Sequence, residues 1–245
     1  MLPEFIETDR LRLERHDAAV TARQFYAASG AGQTDTIDEE TEFVSWDPNP
    51  HPKKTHDLTR QFADQWESRE GATYAVIPRD GEPGAGHYAG NTGVALDWDT
   101  RTATLGVWLR KPHWGREYSA ERAAALAQLV FDRLDLDLLA TEVIPANEQS
   151  LRAVEKYVDR LGGRHEGQFR NRIATEGGEV VDLERYSVSR TEYEATVDDP
   201  KATFVDELDQ PTLAGVPPAE VVWTPADGSD TGDDESPPGN ETTPS

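Results

Sequence analysis

The order of predicted elements makes this chain an α+β protein, with a mixed, mostly antiparallel central sheet flanked by helices and an acidic C-terminal tail. Three observations carry that reading. Three strand-like segments follow one another between residues 74 and 109 with only turn residues between them. Amphipathic helices and strands then alternate up to residue 190. Beyond Arg190 the composition changes to acid, proline and glycine.

Near the N-terminus Leu11 and Leu13 alternate with Arg10, Arg12 and Glu14, which predicts a strand with one buried face. A helix is expected over 17–29, capped by Asp17, with Val20, Phe25 and Tyr26 turned inward. Residues 30–54 are rich in turn-formers and end in WDPNPHPKK, a long loop of the kind that often carries function. Leu58, Phe62 and Trp66 stand four residues apart and predict a helix over 55–69. The strands Tyr74–Ile77, Tyr88–Leu96 and Thr102–Leu109 follow, separated by turns at Asp80-Gly81 and Asp99-Thr100, an antiparallel meander. A helix over 119–134 shows a stripe of Ala123, Leu126, Ala127, Val130, Phe131 and Leu134. Next come a strand over 138–144 and a helix over 147–161 with Leu151, Val154, Val158 and Leu161 on one face. Two further strands, 164–172 and 180–190, close around an EGG turn.

Charge is unevenly placed along the 245 residues, whose formal net charge is −23. The first 190 hold 33 acids and 23 bases, and the remainder 14 acids and the single base Lys201. Residues 1–196 therefore read as one domain and 227–245 as a disordered acidic tail. Residues 197–226, with Phe204, Val205, Leu208 and Trp223, fit either a docked extension or a loose tether. With no cysteine, the chain has no disulfides, thiolate metal sites or cysteine nucleophile. Its six histidines lack metal-ligand spacing, so no metal is assigned. No secretion signal and no apolar run of about 18 residues is seen, and the acidity disfavours nucleic acid and membrane as partners. Many carboxylates and only five lysines fit a cytoplasmic protein adapted to high salt.

Two stretches carry candidate chemistry. In HWGREYSAE a glycine-bearing turn enters a helix, presenting free N–H groups that suit a phosphate, although such a turn is often only a turn. In PANEQS, Asn147 and Ser150 share one helical face; Asn147 is either an N-cap or, with Ser150, a ligand contact.

Taken together and in order, these stretches resemble the GNAT superfamily of acetyl-CoA-dependent N-acetyltransferases, in its RimJ/RimL-type branch. The resemblance spans about residues 5–192. ETDRLRLER is similar to the family's opening strand, T-x-R-L-x-L-R. LGVWLRKPHWGREYSAERAAAL resembles the cofactor signature I-G-Y-W-L … W-G-x-G-Y-A-x-E-A. ATEVIPANEQSLRAVEK is similar to A-x-V-x-x-x-N-x-x-S-x-x-V-x-E-K, and LGGRHEGQFRN to L-G-F-x-x-E-G-x-x-R. VVDLERYSVSRTEY resembles the D-x-x-x-Y-S ending.

The resemblance implies a GNAT-like fold in which the fourth strand splays from the fifth and the pantetheine arm of acetyl-CoA pairs in the gap. Backbone donors at Gly106, Val107 and Trp108 would stabilise the oxyanion, Val107 foremost. The cofactor would be held along Trp108, Leu109 and Arg110, and its pyrophosphate by Gly115, Arg116, Glu117, Tyr118, Ser119 and Ala120. Arg110, Lys111 and Arg116 would offset its charge. Asn147 would bind the pantetheine arm and Ser150 would protonate the departing sulfur. Glu142 is either a water-mediated base or an ordinary strand carboxylate. Trp46 and Asp47 are either acceptor contacts or a core tryptophan and a turn aspartate.

Three positions depart from the pattern. The second glycine of the turn is Glu117, an acid beside a pyrophosphate; the usual Arg/Gln is Pro112; and YVDR at 157–160 lengthens the helix before Leu161. The tyrosine that many relatives place seven residues after the asparagine is Val154. The expected function is direct acetyl transfer from acetyl-CoA to a primary amine, on a protein N-terminus or a small molecule, by a monomer or homodimer without metal. The alternative is a non-catalytic GNAT-fold protein that binds acyl-CoA. More remote is an interaction protein whose acidic tail binds basic partners.

Overall fold

A computed structural model describes residues 2–206; the tail expected over 227–245 and most of the 197–226 stretch lie outside the described residues. Strands β1 (Phe5–Glu7) and β2 (Leu11–Arg15) pair antiparallel and bury Ile6, Leu11 and Leu13 completely. The single helix expected over 17–29 is in fact two, α1 (His16–Ala19) and α2 (Ala22–Ser29). The break has a local cause. Val20 is extended, and Thr21 caps α2 with a full capping box: its hydroxyl accepts from Gln24 N while the Gln24 side chain accepts from Thr21 N. Asp17 instead binds the Arg15 guanidinium at 2.9 Å.

The long loop holds a short helix, α3 (Ile37–Thr41). Helix α4 (Pro52–Ser68) begins three residues earlier than the hydrophobic spacing predicts. Pro52 fits the first turn, where its missing N–H leaves nothing unpaired, and the His51 side chain caps Lys54 N. The helix stops at Arg69, which adopts a left-handed φ of 60°.

The meander is present as β3 (Gly71–Pro78), β4 (Gly90–Asp97) and β5 (Thr102–Leu109), each antiparallel to the last. Helix α5 (Tyr118–Gln128) continues through a π-type turn at Leu129–Arg133 into β6 (Leu138–Val143), which returns parallel to β5. Then come α6 (Glu148–Arg160), β7 (Arg164–Ala174), β8 (Val180–Ser189), α7 (Arg190–Thr196) and β9 (Thr203–Val205). Among the described residues the sheet has nine strands in the order β7-β8-β6-β5-β4-β3-β2-β1-β9, and β5 and β6 are its one parallel pair. Strand β9 pairs with β1; Asp206 meets Arg133, and Ala202 N donates to the Gln128 side chain at 2.8 Å.

Strand alternation gives the sheet two covered faces. Leu105 and Val94 pack with α5 and α6 in the larger core. Trp108, Ala75 and Ile77 pack on the other face with Phe25 of α2 and with Leu58 and Phe62 of α4. There His16 is wholly buried in an aromatic box, edge-on to Phe25, Phe62 and Tyr88, and Nε2 shares a 3.2 Å hydrogen bond with the Tyr88 hydroxyl.

Burial lowers the His16 pKa from 6.5 to about 4, so the folded protein holds it neutral. Above pH 6.5 both folded and unfolded chains carry the neutral ring. As pH falls, the unfolded chain takes up a proton that the folded chain refuses, and stability drops until about pH 4. For a group so buried the loss amounts to about 3 kcal/mol. His16→Phe removes this term, so its melting temperature between pH 7 and 5 should fall less than that of the wild type. Parallel curves would show that His16 does not carry the acid sensitivity.

Candidate active site

The pairing of β5 with β6 lasts four residues, from Thr102↔Leu138 to Leu105↔Thr141, and then stops. Strand β6 continues along β8 while β5 continues along β4, so the two diverge after Leu105. Arg110 N donates to Ala89 on the β4 side. By alternation Gly106 and Trp108 also face β4, whereas the N–H groups of Val107 and Leu109 face the side that β6 has left. From that side Trp114 Nε1 donates to the Leu109 carbonyl at 2.7 Å. Gly106 has no side chain, and a Cβ placed there would meet open space.

After β5 the chain turns through Gly115, with φ +72°, and Glu117, with φ +62°, into α5. The N–H groups of Gly115 through Ser119 have no acceptor among the described residues. Such a row at a helix N-terminus fits a pyrophosphate. The turn is tethered from three sides. Glu121 accepts from Thr8 and from Arg10, Arg10 Nη1 donates to the Arg116 carbonyl, and the Tyr118 hydroxyl donates to Glu82 at 2.7 Å. His113 packs beneath, tilted against the Tyr118 ring, and burial and the nearby Arg110 lower its pKa to about 4.

Helix α6 starts opposite this turn. Asn147 is its N-cap, with Oδ1 accepting from Ser150 N at 2.9 Å. Capping uses only the oxygen: Nδ2 has no partner among the described residues and remains available to a ligand carbonyl. The cap and ligand-contact readings of Asn147 are therefore compatible. The Ser150 hydroxyl likewise has no protein partner there.

Two clefts meet at the divergence. One, of about 700 Å³, lies along the α5 turn and the start of α6. The other, of about 600 Å³, runs from Trp46 and the α2/α4 side through the opening in the sheet to Arg122 and Val154. Val107, Trp108, Ser119, Asn147 and Ser150 line both. Leu109, Gly115, Arg116, Glu117, Tyr118 and Ala120 line only the first. Trp46 and Glu142 line the second, where Trp46 stands edge-on to Trp108.

Several expected residues are placed differently. Arg110 lines neither cleft: it aims at the Tyr88 carbonyl at 3.4 Å. Lys111 is ion-paired with Glu39, which leaves Arg116 as the one expected base on the cleft wall. Asp47 is exposed and lines neither cleft, and its N–H donates to Glu176. Glu142 Oε1 is held by Arg172 at 3.1 Å and by Arg185 at 2.8 Å, so Oε2 is the atom open to a bridging water.

Three cleft residues were not singled out in the sequence. Lys156 stands on α6 across from the turn and pairs with Glu117. Asn91 of β4 lines the second cleft with a buried, unpartnered Oδ1. Arg122 of α5 is wholly buried at that cleft. Its sequence signal is an arginine where the quoted signature ends in alanine.

The family assignment rests on the sequence. Residues 11–157 match the family described as acetyltransferase (GNAT) domain. The chain belongs to the GNAT acetyltransferase family. It is an N-acetyltransferase by that membership, and its nine-stranded sheet with diverging β5 and β6 is the corresponding fold. It is 22% identical, over 155 residues, to the uncharacterized N-acetyltransferase p20 of Bacillus licheniformis, covering 63% of this chain and 83% of that one. A putative acetyltransferase from T. thermophilus matches with a TM-score of 0.62 and 25% identity, over 80% of this chain and 94% of that one. RimL, a ribosomal L7/L12 α-N-protein acetyltransferase, shares the fold at TM-score 0.61 and 14% identity, over 77% of this chain and 96% of that one.

Glu117 is the most informative departure from the GNAT pattern. Its left-handed backbone costs a side-chain-bearing residue roughly 1–2 kcal/mol. Its carboxylate pairs with Lys156 and lies 3.9 Å from Arg160, an arrangement that depresses its pKa and keeps it anionic. It thus holds a base that would otherwise face a phosphate. Glu117→Gly should lower the calorimetric Kd for coenzyme A about three- to tenfold at low ionic strength, with the gain shrinking in molar KCl. Glu117→Gln separates charge from backbone strain. Unchanged affinity in both variants would show that the carboxylate does not oppose the cofactor.

Proposed function

We propose that this GNAT protein transfers an acetyl group directly from acetyl-CoA to a primary amine, on a protein N-terminus or a small molecule. The observation that carries the reading is the junction of two clefts at the Val107 N–H, one cleft with a phosphate-type turn and one without. Acetyl-CoA would lay its pyrophosphate on the Gly115–Ser119 N–H groups, near Arg116, with its pantetheine carbonyls toward Asn147 Nδ2. The acceptor would enter past Trp46, where Asn91 Oδ1 is a free acceptor for an amine hydrogen.

In the transfer, the amine nitrogen attacks the thioester carbon and the oxyanion develops against the Val107 N–H. A preorganised donor of this kind contributes roughly 3–4 kcal/mol in other enzymes. Collapse breaks the carbon–sulfur bond, and the Ser150 hydroxyl relays a proton to the departing thiolate while taking one from water in the cleft. The amine proton leaves through water on Glu142 Oε2. The absence of cysteine rules out a cysteine-thioester intermediate, which fits a single displacement. The net charge of −10 on the first 190 residues fits work at high salt in the cytoplasm.

Thiol release from acetyl-CoA, measured with a panel of amines in molar KCl, tests the proposal. Ser150→Ala should lower kcat about a hundredfold and leave the cofactor Kd within about twofold. Equal turnover would remove Ser150 from the mechanism. The pH profile separates acceptor classes. The rate on an N-terminal α-amine should level off near pH 8, and that on a lysine-like amine should keep rising toward pH 10. Glu117 in the turn favours a second reading, binding without transfer, and cofactor binding with no amine-dependent thiol release would select it.

A further inference from the structure

Arg122 is the largest side chain buried completely in the described protein, at 1% exposure, and it forms part of the wall of the cleft at the β5/β6 divergence. Among the described residues its guanidinium has only neutral partners. Nη1 lies 3.4 Å from Thr92 Oγ1, Nη2 lies 3.5 Å from Ser119 Oγ, and the group sits over the Tyr157 ring at 5.5 Å. Nε has no partner, and neither has the buried Tyr157 hydroxyl. The acids on the two helices around it and at the α5 N-cap are paired elsewhere or, for Asp159, exposed to solvent. Glu121 binds Thr8 and Arg10, Glu155 accepts from Tyr186, Glu117 pairs with Lys156, and Glu148 pairs with Arg152. Across the gap Glu142 is held by Arg172 and Arg185. A buried guanidinium with no carboxylate is unfavourable unless a bound anion completes it.

Its place in the cleft narrows the anion. Thr92 is paired in register with Val107, and Thr92 Oγ1 donates to the Gly106 carbonyl at 2.8 Å. The guanidinium therefore lies on the second cleft near the junction, across from the strand position that carries the oxyanion donor, whereas the phosphate-type turn and Lys156 line the first cleft. Resting on the coenzyme A reading above, we propose that Arg122 binds the free carboxylate of a short dicarboxylic acyl group, and that the preferred donor is a malonyl- or succinyl-type thioester. The acyl carbonyl would sit on Val107 N–H and the chain would extend toward Thr92, its terminal carboxylate meeting the Nη and Nε donors. The chemistry is unchanged: the carbon–nitrogen bond forms, the carbon–sulfur bond breaks, the thiol leaves with a proton, and the carboxylate passes intact into the amide product.

Calorimetry on the full chain in molar KCl tests this with coenzyme A, acetyl-CoA, butyryl-CoA and succinyl-CoA. Succinyl-CoA and butyryl-CoA share a four-carbon chain and differ in the terminal carboxylate. The wild type should bind succinyl-CoA at least tenfold tighter than butyryl-CoA, Arg122→Met should abolish or reverse the preference, and Arg122→Lys should keep part of it. Equal affinities for the two thioesters in the wild type would overturn the proposal, even if Arg122→Met failed to fold. A preference that persists in a folded Arg122→Met would overturn it too. Coenzyme A binding without a carboxylate preference defeats this inference alone, whereas no coenzyme A binding defeats the acetyl-CoA reading with it.

Discussion

Four residues of parallel pairing between β5 and β6, and its end after Leu105↔Thr141, are the constraint on which the rest of the site depends. A buried backbone N–H without a partner costs roughly 1–3 kcal/mol, so a sheet does not give up such pairing without reason. Here β6 is held by six register pairs to β8, and β5 by eight to β4, so each strand keeps one full partner while the seam between them opens. The donors released at Val107 and Leu109 stay at a cleft, where a ligand can complete what β6 leaves.

The same parallel pair gathers the other parts. Because β5 and β6 run in one direction, α5 and α6, which follow them, begin at the same edge of the sheet. Two helix N-termini with their free N–H groups thus converge on one opening, next to the released strand donors. The tethers from Arg10 and Glu82 fix the α5 turn to parts of the chain distant in sequence, so its geometry depends on the whole sheet being assembled. The His16 box fixes the opposite face in a similar way, by packing rings against Trp108 and α4. Two charges run against this frame: an acid, Glu117, where phosphate would lie, and a base, Arg122, in the interior. Both line the clefts, where a bound anion would change the electrostatic balance.

The fold was legible because its signals are periodic and local. The meander, the α5 stripe and the α6 face follow from spacings of two and of three to four residues, and their bounds agree within a few positions. The split of the first helix was also written in the sequence, as Thr21 followed three residues later by Gln24, but the stronger hydrophobic period masked it. The positive φ at Glu117 was legible from the missing glycine. Side-chain direction was not. Arg110 and Arg116 both belong to the quoted cofactor stretch, yet one aims at the Tyr88 carbonyl and the other lines the cleft, a choice made by tertiary packing. Arg122 sits on the buried side of its helix, and only the assembled interior shows that no acid comes to meet it.

The placement of the clefts bears on the order of chemical events. The cleft with the phosphate-type turn lies along the starts of α5 and α6, and the cleft past Trp46 runs from the α2/α4 side through the opening in the sheet. In the proposed reading a donor and an acceptor would occupy the protein together, with their reacting ends at Val107, and Ser150 lines both clefts. In a double displacement one site would serve both substrates in turn, and a protein nucleophile would hold the acyl group between them. Here the chain supplies no cysteine, and the junction presents a backbone donor, an amide and a hydroxyl. In the proposed reading those groups would polarise a carbonyl and relay a proton, the two tasks left when the amine itself is the nucleophile. The proposed direct transfer is consistent with the divergence that builds the site, where two clefts share Val107, Trp108, Asn147 and Ser150.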